Sequence, residues 1–179
     1  SLDELDKVKL LDRKDTKFVF NQNQLPSILE KIKPYYRILE INNSPIFNYD
    51  NTYFDTHDFL FYNQHHNEHR KRFKVRFRKY SSNSKSFFEI KIKNNKNRTV
   101  KKRMLVNEMN KHLGKQEKNL VSEIIGLQPT QLAPILDIQF SRITLTDNNF
   151  SERLTIDTNL SVKNGTGSKI FDQLVISEI

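Results

Sequence analysis

The sequence predicts an α+β fold that is mainly antiparallel sheet with a few helices, on three observations. β-Branched and aromatic residues alternate with polar ones over short runs, and those runs are bounded by Asn, Asp, Ser and Gly. Only three stretches carry apolar residues at helical spacing. The 179 residues are enough for one domain with a real core. Residues 1–179 read as one continuous domain, with no internal repeat and no Pro- or Gly/Ser-rich linker.

In chain order, strands are expected over Leu11–Phe20, Tyr35–Ile41, Phe47–Phe54, Phe73–Tyr80, Phe87–Lys93, Thr99–Leu105, Leu136–Thr146, Arg153–Thr158 and Gln173–Ile179. The first helix is expected over Asn23–Lys33, where Pro26 suits an early helical position and Leu25, Ile28, Leu29 and Ile32 form one apolar stripe. A short helix is expected over Thr56–His65. A third covers Glu108–Ile125, broken or kinked around Gly114 and stopped by Gly126; Leu120, Val121, Ile124, Ile125 and Leu127 are its core-packing residues. Gly165–Lys169 fails the spacing of a phosphate-binding P-loop and reads as a turn between strands.

Composition removes several function classes. With no Cys there is no disulfide, no thiolate zinc site and no cysteine nucleophile. Apolar residues make up 36% of the chain, or about 38% with its four Gly, against roughly 45–50% in a typical globular protein counted with glycine, so a large all-apolar interior is not available. No stretch approaches the roughly 18 apolar residues that span a bilayer, and the first residues lack a signal-peptide h-region. The expected location is cytoplasmic, with membrane association of any parent protein left open.

The formal charge is +9, but it is unevenly placed: residues 70–103 hold fifteen Lys and Arg against a single acid, Glu89. Side chains alternate across a strand, so Lys74, Arg76 and Arg78 share one face opposite Val75, Phe77 and Lys79. Glu89, Lys91 and Lys93 share a face in the next strand, Lys101 and Arg103 in the third, and Arg153, Thr155 and Asp157 in a later one. One such face is ordinarily a solvated sheet face. Several together place like charges side by side, which costs stability unless a shared anion neutralises them. Arg offers phosphate oxygens a planar fork and Lys a point charge, so the rows suit a chain of phosphates. If the sheet closes into a barrel of about eight or nine strands, the charged faces would line a tunnel.

These residues resemble the vacuolar transporter chaperone (VTC) domain, within the superfamily of triphosphate tunnel metalloenzymes. The resemblance rests on Arg13-Lys14-Asp15-Thr16-Lys17-Phe18, Tyr53-Phe54-Asp55-Thr56, His65-His66-Asn67, Lys74 to Tyr80, Glu89-Ile90-Lys91, Val100 to Arg103, Phe140-Ser141-Arg142, Glu152 to Asp157 and Ser177-Glu178-Ile179, in family order. It implies an antiparallel β-barrel tunnel that binds ATP, triphosphate or polyphosphate. The implied reaction is transfer of the γ-phosphoryl group of ATP onto a polyphosphate chain; superfamily relatives hydrolyse triphosphates or cyclise ATP, and a non-catalytic polyphosphate-binding module is a further alternative. Lys17, Arg76, Arg78, Lys91, Lys101, Arg103, Arg142 and Arg153 are the implied phosphate-binding set. Arg76, Arg78, Lys91 and Glu178 are the implied catalytic residues, with Glu178 also the implied ligand of Mn²⁺ or Mg²⁺. In the family pattern a basic residue follows the Glu-Ile pair and a basic C-terminal segment closes the tunnel; this sequence ends at Ile179, which implies that binding is kept better than turnover.

Three side readings complete the picture. His65, His66 and His69 could face a metal from one helix, but a solvated turn ahead of a basic strand is simpler. Asp55 is a candidate partner for a tunnel Arg, while Glu89 and Asp157 are candidates either for orienting Lys and Arg or for holding metal. The rival function is nucleic-acid binding, since Phe73, Phe77, Tyr80, Phe87 and Phe88 interleave with the basic run. It is disfavoured on the expectation that the Arg-bearing face of Lys74–Tyr80 has no aromatic for bases to stack on.

Overall fold

The computed structural model describes residues 15–81, 84–94 and 99–179. The described elements are, in order, β1 (Lys17–Asn21), α1 (Leu25–Ile32), β2 (Tyr36–Ile38), β3 (Ile46–Asp55), α2 (Leu60–His66), β4 (Arg72–Tyr80), β5 (Ser86–Lys93), β6 (Thr99–Val106), α3 (Lys115–Ile125), β7 (Ala133–Asp147), β8 (Arg153–Asn164), β9 (Gly167–Phe171) and β10 (Leu174–Glu178). Hydrogen-bonded neighbours run β1-β10-β8-β7-β3-β4-β5-β6, with β2 added to β7 and β9 to β8. The sheet is antiparallel in every pair with a defined register. The expected closed barrel needs one correction: among the described residues the ladder has two ends, β1 and β6, and no pairing joins them. β6 carries Lys101, Lys102 and Arg103 along its exposed length, and charge of this kind blunts an open sheet edge.

The chain divides into two compact units, one formed by Ser1–Tyr49, Gln139–Ser161 and Lys169–Ile179 and the other by Asp50–Ile138 and Val162–Ser168. In the first unit, Leu145, Leu154, Ile156 and Val175 are buried and the α1 stripe Leu25, Leu29 and Ile32 packs on them. Pro26 lies in the first turn of α1, where its missing N–H is not needed. Asn21 leads the chain into this helix: its side chain accepts from Asn23 N at 3.0 Å while its own N–H donates to Gln24 Oε1 at 3.1 Å.

The second unit has the larger apolar cluster, with Phe54, Phe61, Phe73, Val75, Phe77, Phe88, Ile90, Leu113 and Val121 buried. Rings of Phe77 and Phe88 lie 5.1 Å apart and those of Phe54 and Phe77 meet edge to face at 5.5 Å. Leu120, Ile124, Ile125 and Leu127 pack against this cluster from α3 and the residue beyond its cap. Alternation in β4 and β5 therefore spends one face on the core and leaves the other to charge.

The elements differ from expectation in identifiable ways. The expected third helix begins only at Lys115, because Gly114 has extended backbone and serves as its N-cap; Met109 and Leu113 still reach the core from non-helical chain. Gly126 ends the helix in the left-handed conformation, as its position suggests. α2 starts four residues later than expected, after Phe59 at a positive φ of 57°. β8 runs past Thr158, and β9, missing from the expectation, returns as a hairpin whose turn is tied by the Asn164 side chain accepting from Thr166 and Gly167 N–H groups, each at 3.0 Å. Residues 11–14 of the expected first strand, including Arg13 and Lys14, lie outside the described residues. Among the described residues no helix is long and apolar enough to cross a membrane.

Candidate anion-binding site

In the second unit, strand register builds a three-strand basic face. Lys74 stands opposite Lys91, which stands opposite Lys101; Arg76 stands opposite Glu89 and Glu89 opposite Arg103; Arg78 stands opposite Phe87 and Phe87 opposite Leu105. Directly opposed residues on antiparallel neighbours share a face. Arg76, Arg78, Lys91, Lys101 and Arg103, all singled out from sequence, therefore lie on one side of β4, β5 and β6.

Glu89 organises this face. It is only 2% exposed, and its Oε2 accepts from Arg76 Nε at 2.9 Å and from a terminal Arg76 nitrogen at 2.6 Å. Its other oxygen lies 2.7 Å from Lys101 Nζ. Burial alone would raise the Glu89 carboxyl, but Arg76 and Lys101 outweigh it and hold the group at about 2. Glu89 thus orients Arg76 and Lys101 on this face.

β3 supplies two further polar side chains to the same arginines. Arg76 NH1 donates to the Tyr53 hydroxyl at 2.9 Å, and Arg78 Nε donates to Asn51 Oδ1 at 2.7 Å. Asn51 is fixed in turn by its amide, which donates to the Ile138 carbonyl at 3.1 Å. Arg78 is pushed below its usual basicity by burial and by the neighbouring Arg76 charge, while Arg76, despite burial, is raised by Tyr53 and Glu89. Asn51 was not anticipated, since a buried Asn on a strand carries no motif that marks it.

Two expectations for this region are overturned. Asp55 does not reach an arginine: Oδ1 accepts from Thr56 N and Phe61 N at 2.8 Å each, and Oδ2 from Tyr62 N at 2.9 Å, so it serves the start of α2. The Arg-bearing face also has aromatics. The Arg78 guanidinium is 5.9 Å from the Tyr80 ring centre, Arg103 is 5.0 Å from that of Phe87, and these two rings meet edge to face at 5.7 Å. Tyr80 has the same strand parity as Arg78, and Phe87 reaches the face through register.

Among the histidines, His65 Nε2 lies 3.5 Å from Lys74 Nζ and His66 stacks on Tyr62.

The first unit holds the remaining candidates. Lys17 on β1 is directly opposite Glu178 on β10, which is opposite Thr155 on β8. Lys17 Nζ and Glu178 Oε1 are 3.3 Å apart, with side chains 60% and 28% exposed. Arg142 grips Asp157 with two parallel hydrogen bonds, 2.5 Å from Nε and 2.6 Å from a terminal nitrogen. Its guanidinium also lies 5.4 Å from the Tyr49 ring centre and 5.2 Å from that of Phe140. Burial lowers the basicity of Arg142, but Asp157, with smaller contributions from Tyr49 and Glu178, raises it on balance. Arg153 opens β8 on the same strand face as Thr155 and Asp157.

Comparison with known proteins agrees with this architecture. A family model described as the VTC domain matches residues 12–175. A candidate adenylate cyclase from Bacillus halodurans has a similar structure, with 15% identity, a TM-score of 0.56, and 92% of this chain and 79% of that one covered. A candidate adenylyl cyclase from Hippeastrum, HpAC1, for which a dominant triphosphatase activity is described, is similar at 11% identity and a TM-score of 0.54, covering 92% of this chain and 78% of that one. At these identities the likeness is one of fold. No curated protein sequence matches.

Proposed function

The chain belongs to the VTC domain family, and from that premise we propose that it binds the phosphate chain of a nucleoside triphosphate or of inorganic polyphosphate and transfers the γ-phosphoryl group of ATP to the polymer. The observation that carries the reading is the basic face of β4, β5 and β6, where Lys74, Arg76, Arg78, Lys91, Lys101 and Arg103 surround the single acid Glu89. The triphosphatase activity of the Hippeastrum protein supports triphosphate as the ligand class.

Phosphoryl transfer asks a protein chiefly for positioning and charge neutralisation. Glu89 and Tyr53 between them take Nε and one N–H of each terminal nitrogen of Arg76. The second N–H of each terminal nitrogen stays available for phosphate oxygens. Arg78, steadied by Asn51, and Lys91 and Arg103 on the flanking strands supply the remaining charge on this face. Lys17, Arg142 and Arg153 in the first unit complete the family-matched set.

Glu178 would hold Mn²⁺ or Mg²⁺ in this reading. Its Oε1 is shared with Lys17, while both oxygens of Asp157 on the same sheet face are taken by Arg142. One available carboxylate fits a cation that draws most of its ligands from phosphate and water. When bound, such a cation supplies charge neutralisation to phosphate oxygens.

Calorimetric titration with triphosphate, a non-hydrolysable ATP analogue and long-chain polyphosphate, each with and without Mn²⁺, tests the proposal. The expected result is tight binding of the phosphate chains, strengthened by the cation. Because Tyr80 and Phe87 sit beside Arg78 and Arg103, a random RNA oligomer belongs in the same experiment. RNA binding that triphosphate cannot compete away would replace this reading with the nucleic-acid one.

A further inference from the structure

We propose that the Tyr53 hydroxyl is a further phosphate-binding group, donating its hydrogen to a phosphate oxygen seated beside Arg76. This rests on the phosphate-chain reading above and adds a neutral donor to a site otherwise made of charges.

A phenol has one hydrogen to give, whereas a guanidinium has no lone pair to accept it. In the 2.9 Å contact between Arg76 NH1 and Tyr53 the guanidinium must donate and the phenol oxygen must accept. The phenol hydrogen therefore points elsewhere, and among the described residues Arg76 is the only hydrogen-bond partner of this hydroxyl. Asn51, two residues earlier on β3 and holding the other arginine, makes the contrast. Its carbonyl accepts from Arg78 and its amide donates to Ile138, so both ends of that side chain are used within the protein. Tyr53 repeats the gesture toward Arg76 but keeps its donor open on the basic face.

The electrostatic surroundings favour donation. Arg76, Arg78 and Lys74 act on the phenol from β4, while Glu89 on β5 is bonded to Arg76 and joined to Lys101 from β6. Burial raises the phenol, yet the three β4 cations more than offset this and its net acidity is increased. A more acidic phenol is a stronger donor to phosphate, and it also loses its proton at a lower pH than an ordinary tyrosine. The phenolate has no hydrogen to give and repels the ligand.

The test is triphosphate binding by the wild-type protein and Tyr53→Phe, followed from neutral to alkaline pH. Phenylalanine keeps the ring beside Arg76, 5.7 Å from ring centre to guanidinium, and removes only the hydroxyl. The expected result is at least about tenfold weaker binding at neutral pH, the scale of one hydrogen bond to a charged group. Wild-type affinity should also decline as pH rises through the lowered Tyr53 pKa, and this added decline should vanish in the variant. As a measurement on the unaltered protein, tyrosinate absorbance, read as wild type minus variant, should shift to higher pH when triphosphate is added. Equal affinity and equal pH profiles would overturn the assignment, as would weaker binding with the alkaline decline intact, which marks a structural effect. Absence of triphosphate and polyphosphate binding by the wild-type protein would instead remove the functional reading itself.

Discussion

Glu89 and Glu178 are both glutamates on inner strand positions with a lysine as partner, yet their surroundings give them opposite characters. Glu89 is almost wholly buried, with Arg76 on one oxygen and Lys101 near the other. Glu178 is partly open to solvent and has Lys17, itself mostly exposed, at 3.3 Å. A buried carboxylate between two cations is a fixed part, because removing any member leaves a charge without compensation. An exposed pair is weakly held and exchangeable, because water and salt screen it. The difference separates a residue that shapes the basic face from one that, in the proposed function, would meet a cation arriving with its ligand.

The largest effect should come from breaking the fixed member. Glu89→Ala leaves Arg76 and Lys101 facing one another without their shared acid and should cost about 3 kcal/mol of stability, read from urea unfolding. Added polyphosphate should recover part of the loss by supplying the missing negative charge. The pH dependence has a definite sign. The folded carboxyl is held at about 2 against an ordinary 4.5, so its contribution is present above the unfolded value and disappears as pH falls from there through the folded value. The Glu89→Ala protein should lack this part of the acid transition.

The two arginines should separate binding from stability. Arg76→Ala and Arg78→Ala should each weaken triphosphate binding by more than ~1.5 kcal/mol. Arg76→Ala should also destabilise the fold, since it strips two hydrogen bonds from buried Glu89, whereas Arg78→Ala removes one from a neutral Asn51 oxygen. Paired calorimetry and unfolding curves check both halves. Wild-type affinity in both variants would remove the arginines from the site.

How much of this was legible in the sequence follows from the physics of each element. Two-residue alternation placed Lys74, Arg76 and Arg78 on one face of β4 and Lys101 with Arg103 on β6, because the pleat leaves no choice. Alternation within one strand cannot supply register, so the clasp of Arg76 and Lys101 on Glu89 and the arrival of Phe87 beneath Arg103 appear only with the pairing. β9 went unread because its residues are mostly exposed and carry no buried stripe. The start of α2 was misplaced because Asp55 and Thr56 cap it from a distance, through a left-handed Phe59 that favours no motif.

The smallest change in stability, and the sharpest test of the exchangeable member, is Glu178→Gln. Loss of an exposed ion pair should alter unfolding by no more than about 1 kcal/mol. Its consequence should appear in the response to metal: Mn²⁺ should strengthen triphosphate binding in the wild-type protein and leave the variant unchanged. Lys17→Ala sharpens the contrast, because it frees Glu178 Oε1 while removing a charge of the proposed phosphate-binding set. Binding of triphosphate without metal should then weaken while the gain from Mn²⁺ grows. An unchanged Mn²⁺ response in Glu178→Gln would place the cation's protein ligand elsewhere, and the two glutamates would then differ in burial alone.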